Sequence, residues 1–264
     1  MIGILQPGQM GAAVAGLLVA RGFEVGWVSA GRGAETRRRA ESAGLIDCLT
    51  VDRLADSCSI LLSICPPHAA LETVRQFRGY SGLYADLNAV SPATAVDVGG
   101  HVARFVDGGI VGPPPSRAGT TRVYLAGEEA GVVAALFEGT ALQAQVLGAR
   151  PGDASALKMM YAAWTKGTAA MLLAIRAAAR EFGVDEALVD EWEISQPELP
   201  GRSETAAQSA LANGWRWAFE LEEIGRTFAA AGLPDGFGAA AAEVFGRVGC
   251  GGEGLDEAIS RLQD

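Results

Sequence analysis

Short apolar runs alternate with amphipathic stretches over the first part of the chain, and beyond them only the longer helical period persists. The runs at 2–5, 24–28, 59–64, 83–86, 103–107, 122–126 and 144–147 have the length and bounding turn residues of buried strands. Helical patterns fall between them, at AAVAGLLVARG, in CPPHAALETVRQF with the prolines at its entry, in LNAVSPATAVDV after a turn, and over 128–137. The prolines of GPPPSRAGT cannot lie inside a sheet, so they mark a turn between two strands. Strands that alternate with helices predict a doubly wound, Rossmann-type α/β domain over residues 1–150. In such a domain ligands gather at the carboxyl ends of the strands.

Residues 151–264 read as all-α, an interdomain helix followed by a small helical C-terminal domain. The stretch 153–182 contains no proline and only one glycine, Gly167. Leu157, Met160, Tyr161, Trp164, Met171, Leu172, Ile175 and Phe182 follow a helical period there, with Asp153 suited to N-cap and Gly183 to stop the helix. Such a helix would run about 45 Å. Further helices are expected at 185–195, 203–212, 214–231, 236–247 and 255–262, with breaks at 197–201, at Asn213–Gly214 and at Leu233–Asp235. Trp215 and Trp217, two apart, point different ways, so one of them is a candidate for contact with a partner. A small helical remainder with a long amphipathic helix needs a neighbour to cover it, and a homodimer is expected.

Composition narrows the function classes. A hydrophobic fraction of 49% suffices for a large core, and a net charge of −10 argues against non-specific nucleic-acid binding. The four cysteines form no C-x-x-C pair and the two histidines stand apart, which suggests neither a metal centre nor a disulfide framework. No apolar run has the length of a membrane span, and the start lacks a basic leader. A cytoplasmic protein acting on a small molecule is the expectation.

The first strand runs into QPGQMG and then a helix and a second strand, the βαβ unit of dinucleotide-binding domains. Gly8 would let the backbone approach a pyrophosphate, Gly11 would let helix and strand pack, and the helix N-terminus would offer N–H groups to the anion. Gln6, Pro7, Gly8, Gln9, Met10 and Gly11 are therefore cofactor-binding candidates. The first glycine of the usual fingerprint is replaced by Gln6. After the second strand comes SAGRGAETRRR, with no acid before Glu35 to take a ribose 2′-hydroxyl. Ser29 and Arg32 suit a 2′-phosphate instead, which favours NADP(H) over NAD(H). Cys65, Pro66, Pro67 and Asn88 lie just beyond later strands and complete the cofactor candidates; Asn88 and the Gly112–Pro113–Pro114 turn could orient substrate. The chain has two lysines, Lys158 and Lys166, both on the long helix. Lysine, unlike arginine, can lose its proton when desolvated.

QPGQMG, CPPHAAL, DLNAVSPATA, FVDGGIVGPPPSRAGTTRVYLAG and GDASALKMMYAAWTKG, in that order and spacing, resemble the β-hydroxyacid dehydrogenase superfamily, with imine reductases as distant relatives. The resemblance covers nearly the whole chain and implies an NAD(P)-dependent oxidoreductase acting on a small carbonyl or hydroxy compound. It also implies that Lys158, in the register of the family's G-x-G-x-x-x-K lysine, is the general acid/base. Tyr161 stands nearby as an alternative proton donor and Trp164 as a pocket residue. Ala162 replaces the family's asparagine four residues after the lysine, Val111 the serine of its substrate loop, and no lysine follows Lys166. These departures point to a more apolar pocket. They keep open two alternatives, an imine reductase and a non-catalytic nucleotide-binding protein.

Overall fold

Adjacent residues of the central strands serve opposite faces of one sheet, which is why these strands read as unbroken apolar runs. In the computed structural model, Leu61 and Tyr84 pack into a core with Leu54, Val74, Phe77, Ala95 and Val98, whereas Leu62 and Ala85 pack into another with Val14, Leu18, Ala40, Val133 and Phe137. The structure describes residues 1–263, and of Trp215 only the backbone. Asp264 and the proposed role of the Trp215 side chain thus lie outside the described residues.

The first unit, Met1–Met159, is built on an eight-stranded sheet in the order β3-β2-β1-β4-β5-β6-β7-β8. Its strands are β1 (Ile2–Ile4), β2 (Val25–Trp27), β3 (Ile46–Asp47), β4 (Ile60–Ser63), β5 (Leu83–Asp86), β6 (Arg104–Val111), β7 (Thr121–Ala126) and β8 (Leu142–Gly148). The first six run parallel in the doubly wound order 3-2-1-4-5-6; β7 is antiparallel to β6 and parallel to β8. The connecting helices are α1 (Gln9–Ala20), α2 (Ala34–Ser42), α3 (Val51–Ser57), α4 (Ala70–Arg75), α5 (Pro92–Gly99) and α6 (Ala130–Ala135). The expected Rossmann-type architecture is therefore present. The two-residue β3 and the single-buried-residue α3 carry too little periodicity to be read from sequence.

The long helix starts in the first unit and continues into the second, Met160–Asp264, so the observed division falls nine residues past the expected boundary at 150. It is not uniformly α-helical. α7 (Asp153–Ala162) passes into a π-helical turn, Ala163–Gly167, and then into α8 (Thr168–Glu181). The Thr165 and Thr168 hydroxyls donate to the carbonyls of Tyr161 and Trp164 within this turn, a place where hydroxyl back-bonding disturbs the α ladder. Gly183 stops the helix in the left-handed region, φ 68°. Asp153 does not cap it; that carboxylate is the first helical residue and pairs with Arg150.

In the second unit α9 (Asp185–Ser195), α11 (Gly236–Val248) and α12 (Gly254–Gln263) fall where expected. The expected pair 203–212 and 214–231 is instead one helix, α10 (Leu199–Ala230). Gly214 does not end it: its backbone keeps a negative φ and stays helical, and it faces Phe245 of α11 at ordinary contact distance, 3.5 Å from where a Cβ would sit. A mid-helix glycine costs about 1 kcal/mol, which such packing can offset. Arg176 locks α8 to its neighbours through Asp185 (2.6 Å) and Ser203 (2.9 Å).

Candidate active site

The β1–α1 turn places an uncapped helix N-terminus at the end of a central strand. Gly8 is the N-cap residue of α1 and no side chain bonds there. No protein atom lies within 4 Å of the position a Gly8 Cβ would take, so this surface is open. Gly11 is the reverse case: a Cβ would sit 2.2 Å from the Gln6 carbonyl oxygen, so the helix could not pack on the strand. Such a turn fits an anion, as expected for a dinucleotide phosphate. Arg32 lies over the same turn, its Nη2 donating to the Leu5 carbonyl at 3.4 Å, while Arg37 bonds the carbonyls of Arg32 and Ser29 and so ties the loop. The Ser29 N–H donates to Asp47 (3.2 Å), which β3 places beside β2. Asp47 is an acid at this end of the sheet that inspection of the segment after β2 does not reveal.

Three of the expected cofactor residues meet in one hydrogen-bond network. Gln6 Nε2 donates to Thr73 (3.3 Å), whose hydroxyl donates to the Cys65 sulfur (3.8 Å). The Cys65 N–H donates to Asn88 Oδ1 (2.5 Å), and Asn88 Nδ2 donates to Ser63 (3.0 Å). Burial pushes the Cys65 thiol up to about 12, with the Asp86 charge adding to it, so it is a neutral structural group rather than a nucleophile. Pro66 and Pro67 open the short turn of 3₁₀ helix at Pro67–Ala69. Gln9 and Pro114 border a hollow with Arg38 and Arg39. Met10 packs against the core.

Asp107, in the middle of β6, receives the start of α7. Its carboxylate accepts from the N–H groups of Gly152 (2.8 Å), Ala154 (3.0 Å) and Ser155 (3.0 Å) and from the Ser155 hydroxyl (2.5 Å). A side chain from a strand thus does the capping expected of Asp153. Burial pushes the Asp107 carboxyl up, against the pull of these donors. Two residues along the same strand face, Gly109 receives the stem of Lys158: a Cβ at 109 would lie 2.6 Å from the Lys158 Cβ and 3.2 Å from the Ala154 carbonyl oxygen. Lys158 is half-buried. The substrate-loop candidates Gly112, Pro113 and Pro114 are exposed. Gly112 needs its glycine, with φ 119° and only 2.3 Å between a Cβ and the Thr120 carbonyl oxygen, and Thr121 holds the Pro113 carbonyl at 2.7 Å.

Tyr161 and Trp164 belong to the second unit, where they are 45% and 63% exposed, and Arg202 lies over the Trp164 ring at 5.9 Å. An apolar groove of about 590 Å³ runs between Trp164, Met171, Phe228, Leu233 and Phe237. Lys166 is held by the Glu220 carboxylate and lies 5.5 Å from the Trp217 ring. Among the described residues no group of His, Cys, Asp and Glu could hold a metal ion, and no helix is long and apolar enough to cross a membrane.

Fold and turn together define the class: the chain has the architecture of the β-hydroxyacid dehydrogenase superfamily, and the resemblance seen in its motifs extends to the whole fold. More particularly, residues 179–248 match the family described as a domain of unknown function, DUF1932. An uncharacterized 28.5 kDa protein in the 7S RNA 5′ region of Methanothermus fervidus is 27% identical over 169 residues; the match spans 63% of this chain and 66% of that protein, just under two thirds. Among solved structures, the conserved protein MTH1747 of unknown function, described as structurally similar to 3-hydroxyacid dehydrogenases, is 25% identical with a TM-score of 0.70 over 99% of this chain and 98% of that one. The 3-hydroxyisobutyrate dehydrogenase of Mycobacterium tuberculosis shares 17% identity and a TM-score of 0.70, over 93% and 92%. A reductive aminase from Aspergillus terreus, solved with NADPH and ethyl levulinate, shares 17% identity and a TM-score of 0.53, over 98% of both chains.

Proposed function

We propose that this protein is an NADP(H)-dependent oxidoreductase acting on a small carbonyl or hydroxy compound, with Lys158 as general acid/base. The observation that carries the reading is the pairing of an open, uncapped helix N-terminus at Gly8 with a lysine seated on Gly109 by a buried cap. The NADPH-bound reductive aminase of the same fold supports the choice of cofactor class. When bound, the nicotinamide supplies or accepts the hydride. The α1 N-terminus would hold the pyrophosphate, and Ser29 and Arg32 the 2′-phosphate. Lys158 would give its proton to the substrate oxygen during reduction and take it back during oxidation. Asn88 and the Gly112–Pro114 turn would orient the substrate.

A second reading, imine reduction with Tyr161 as proton donor, draws on the exposure of that phenol and the reductive aminase likeness. The groove beside Trp164 and the exposed Met171, Leu233 and Phe237 favour a homodimer covering this face. Its setting would be the cytoplasm. The deciding experiment is Lys158→Met in steady-state assays with NADPH and a panel of ketones, aldehydes and cyclic imines. A loss of at least ~10²-fold in kcat with NADPH affinity kept is expected of a general acid/base. Full turnover by Lys158→Met, with loss in Tyr161→Phe, would move the proton to the tyrosine and make imines the leading substrates.

A further inference from the structure

Ser63, Asp86 and Asp107 stand side by side at one level of β4, β5 and β6, and the chemistry above leaves the middle one unused. Asp86 is fully buried. Its Oδ1 accepts from the Asn88 N–H at 3.0 Å, and its Oδ2 has no hydrogen-bond partner. Asp107, on the next strand, has four donors at the start of a helix. Two adjacent buried carboxyls do not both ionise readily, and the one better supplied with donors keeps the charge. Burial, with the Asp107 charge adding to it and one Asn88 N–H opposing it, pushes Asp86 up to about 7.

Tyr84, on the same strand and face, is also buried with a hydroxyl that has no hydrogen-bond partner, and Cys65 beyond β4 is a neutral thiol. On α7 the charged residues are Asp153, paired with Arg150, and Lys158, its stem on Gly109. Asp97 of α5 is exposed. When Asp86 loses its proton it gains a charge with a single donor. Three side-chain donors stand about this row, the hydroxyls of Ser63 and Tyr84 and Asn88 Nδ2, and the amide is the one bonded across to Ser63. Were that amide drawn to the new carboxylate, the bridge from Ser63 through Asn88 to Cys65 would break.

We propose that Asp86 is a positioning residue: bearing its proton it holds Asn88 as the bridge between Ser63 and Cys65, and losing it releases Asn88 and weakens cofactor binding. The inference rests on the NADP(H) reading of the site. The test is NADPH titration by fluorescence from pH 6 to pH 8 in wild type, Asp86→Asn and Asn88→Ala. If only the neutral form binds, the wild-type Kd rises about tenfold across this range, as the competent fraction falls. Asp86→Asn keeps an uncharged acceptor for the Asn88 N–H and should lack this rise; titration of the cofactor's own phosphate is common to both proteins and cancels. Asn88→Ala should bind more weakly at pH 6 and lose nothing further. Parallel wild-type and Asp86→Asn profiles overturn the proposal.

Failure of the cofactor reading has a different signature, no NADPH binding by any variant at any pH. The proton on Asp86 is then read directly from its ¹³C carboxyl shift in the wild-type protein, which needs no substitution. A midpoint near neutrality is expected, and one near 4, the ordinary value for aspartate, overturns the proposal.

Discussion

Replacing Asp107 by alanine takes away the acceptor of three backbone N–H groups and one hydroxyl at a buried helix start. Each buried donor left unsatisfied costs roughly 1–3 kcal/mol. A small outward shift of α7 would recover some of these bonds with water, and the variant no longer buries a carboxylate. The net loss should resemble that of breaking a buried charged pair, about 3–5 kcal/mol. For a unit this size each kcal/mol lowers Tm by roughly 2–4 °C, so calorimetry should show a drop of about 10 °C. Ser155→Ala removes one of the four bonds and should cost only about 1 kcal/mol. Lys158 lies one turn beyond Ser155 on α7, so the loosened start should also lower kcat, and Gly152, Ala154 and Ser155 should exchange their amide protons faster. A variant melting within 2 °C of wild type, with these amides still protected, would refute the assignment of Asp107 as the anchor of α7.

Two predictions concern recognition. Arg32→Ala should weaken NADPH binding at least ~10-fold more than NADH binding, the loss of a charge-assisted phosphate contact; equal losses for the two cofactors in fluorescence titration would remove the 2′-phosphate role. Sedimentation at micromolar concentration should give a dimer, and Trp164→Glu, which puts a charge on the apolar groove, should shift it toward monomer; a fully active wild-type monomer would refute the shared face.

How much of this was legible follows from distance along the chain. The sheet could be read because each central strand is an unbroken apolar run, and Gly11 because its neighbour Gln6 is local. Asp107 could not be assigned, because α7 brings its donors to it across as many as 48 positions, and the meetings of Asp47 with Ser29 and of Asp86 with Asp107 depend on strand pairing. A signal was nonetheless present: FVDGGIV and LYAD each place an acid in or at the end of a buried-type strand, which demands a donor set. Asn213–Gly214 reads as a break in sequence, yet α10 runs through it, because a single glycine costs a long helix only about 1 kcal/mol. The π-helical turn at Ala163–Gly167 left no mark in the apolar pattern, which runs through it at an ordinary helical period.

The close seat of α7 on Gly109 also bears on how this site can evolve. The tight approach at that glycine is to the Cβ and Cγ of Lys158 and to the Ala154 carbonyl oxygen, none of them at the far end of the side chain. This contact is therefore independent of what the side chain carries at its far end. A lineage can exchange the amine at position 158 for an acid, a phenol or an inert chain in a single step without unseating the helix. Even glycine at 158 would leave a side chain at 109 pressed to within 3.2 Å of the Ala154 carbonyl oxygen. Chemistry is the replaceable part of this pair and geometry the inherited one.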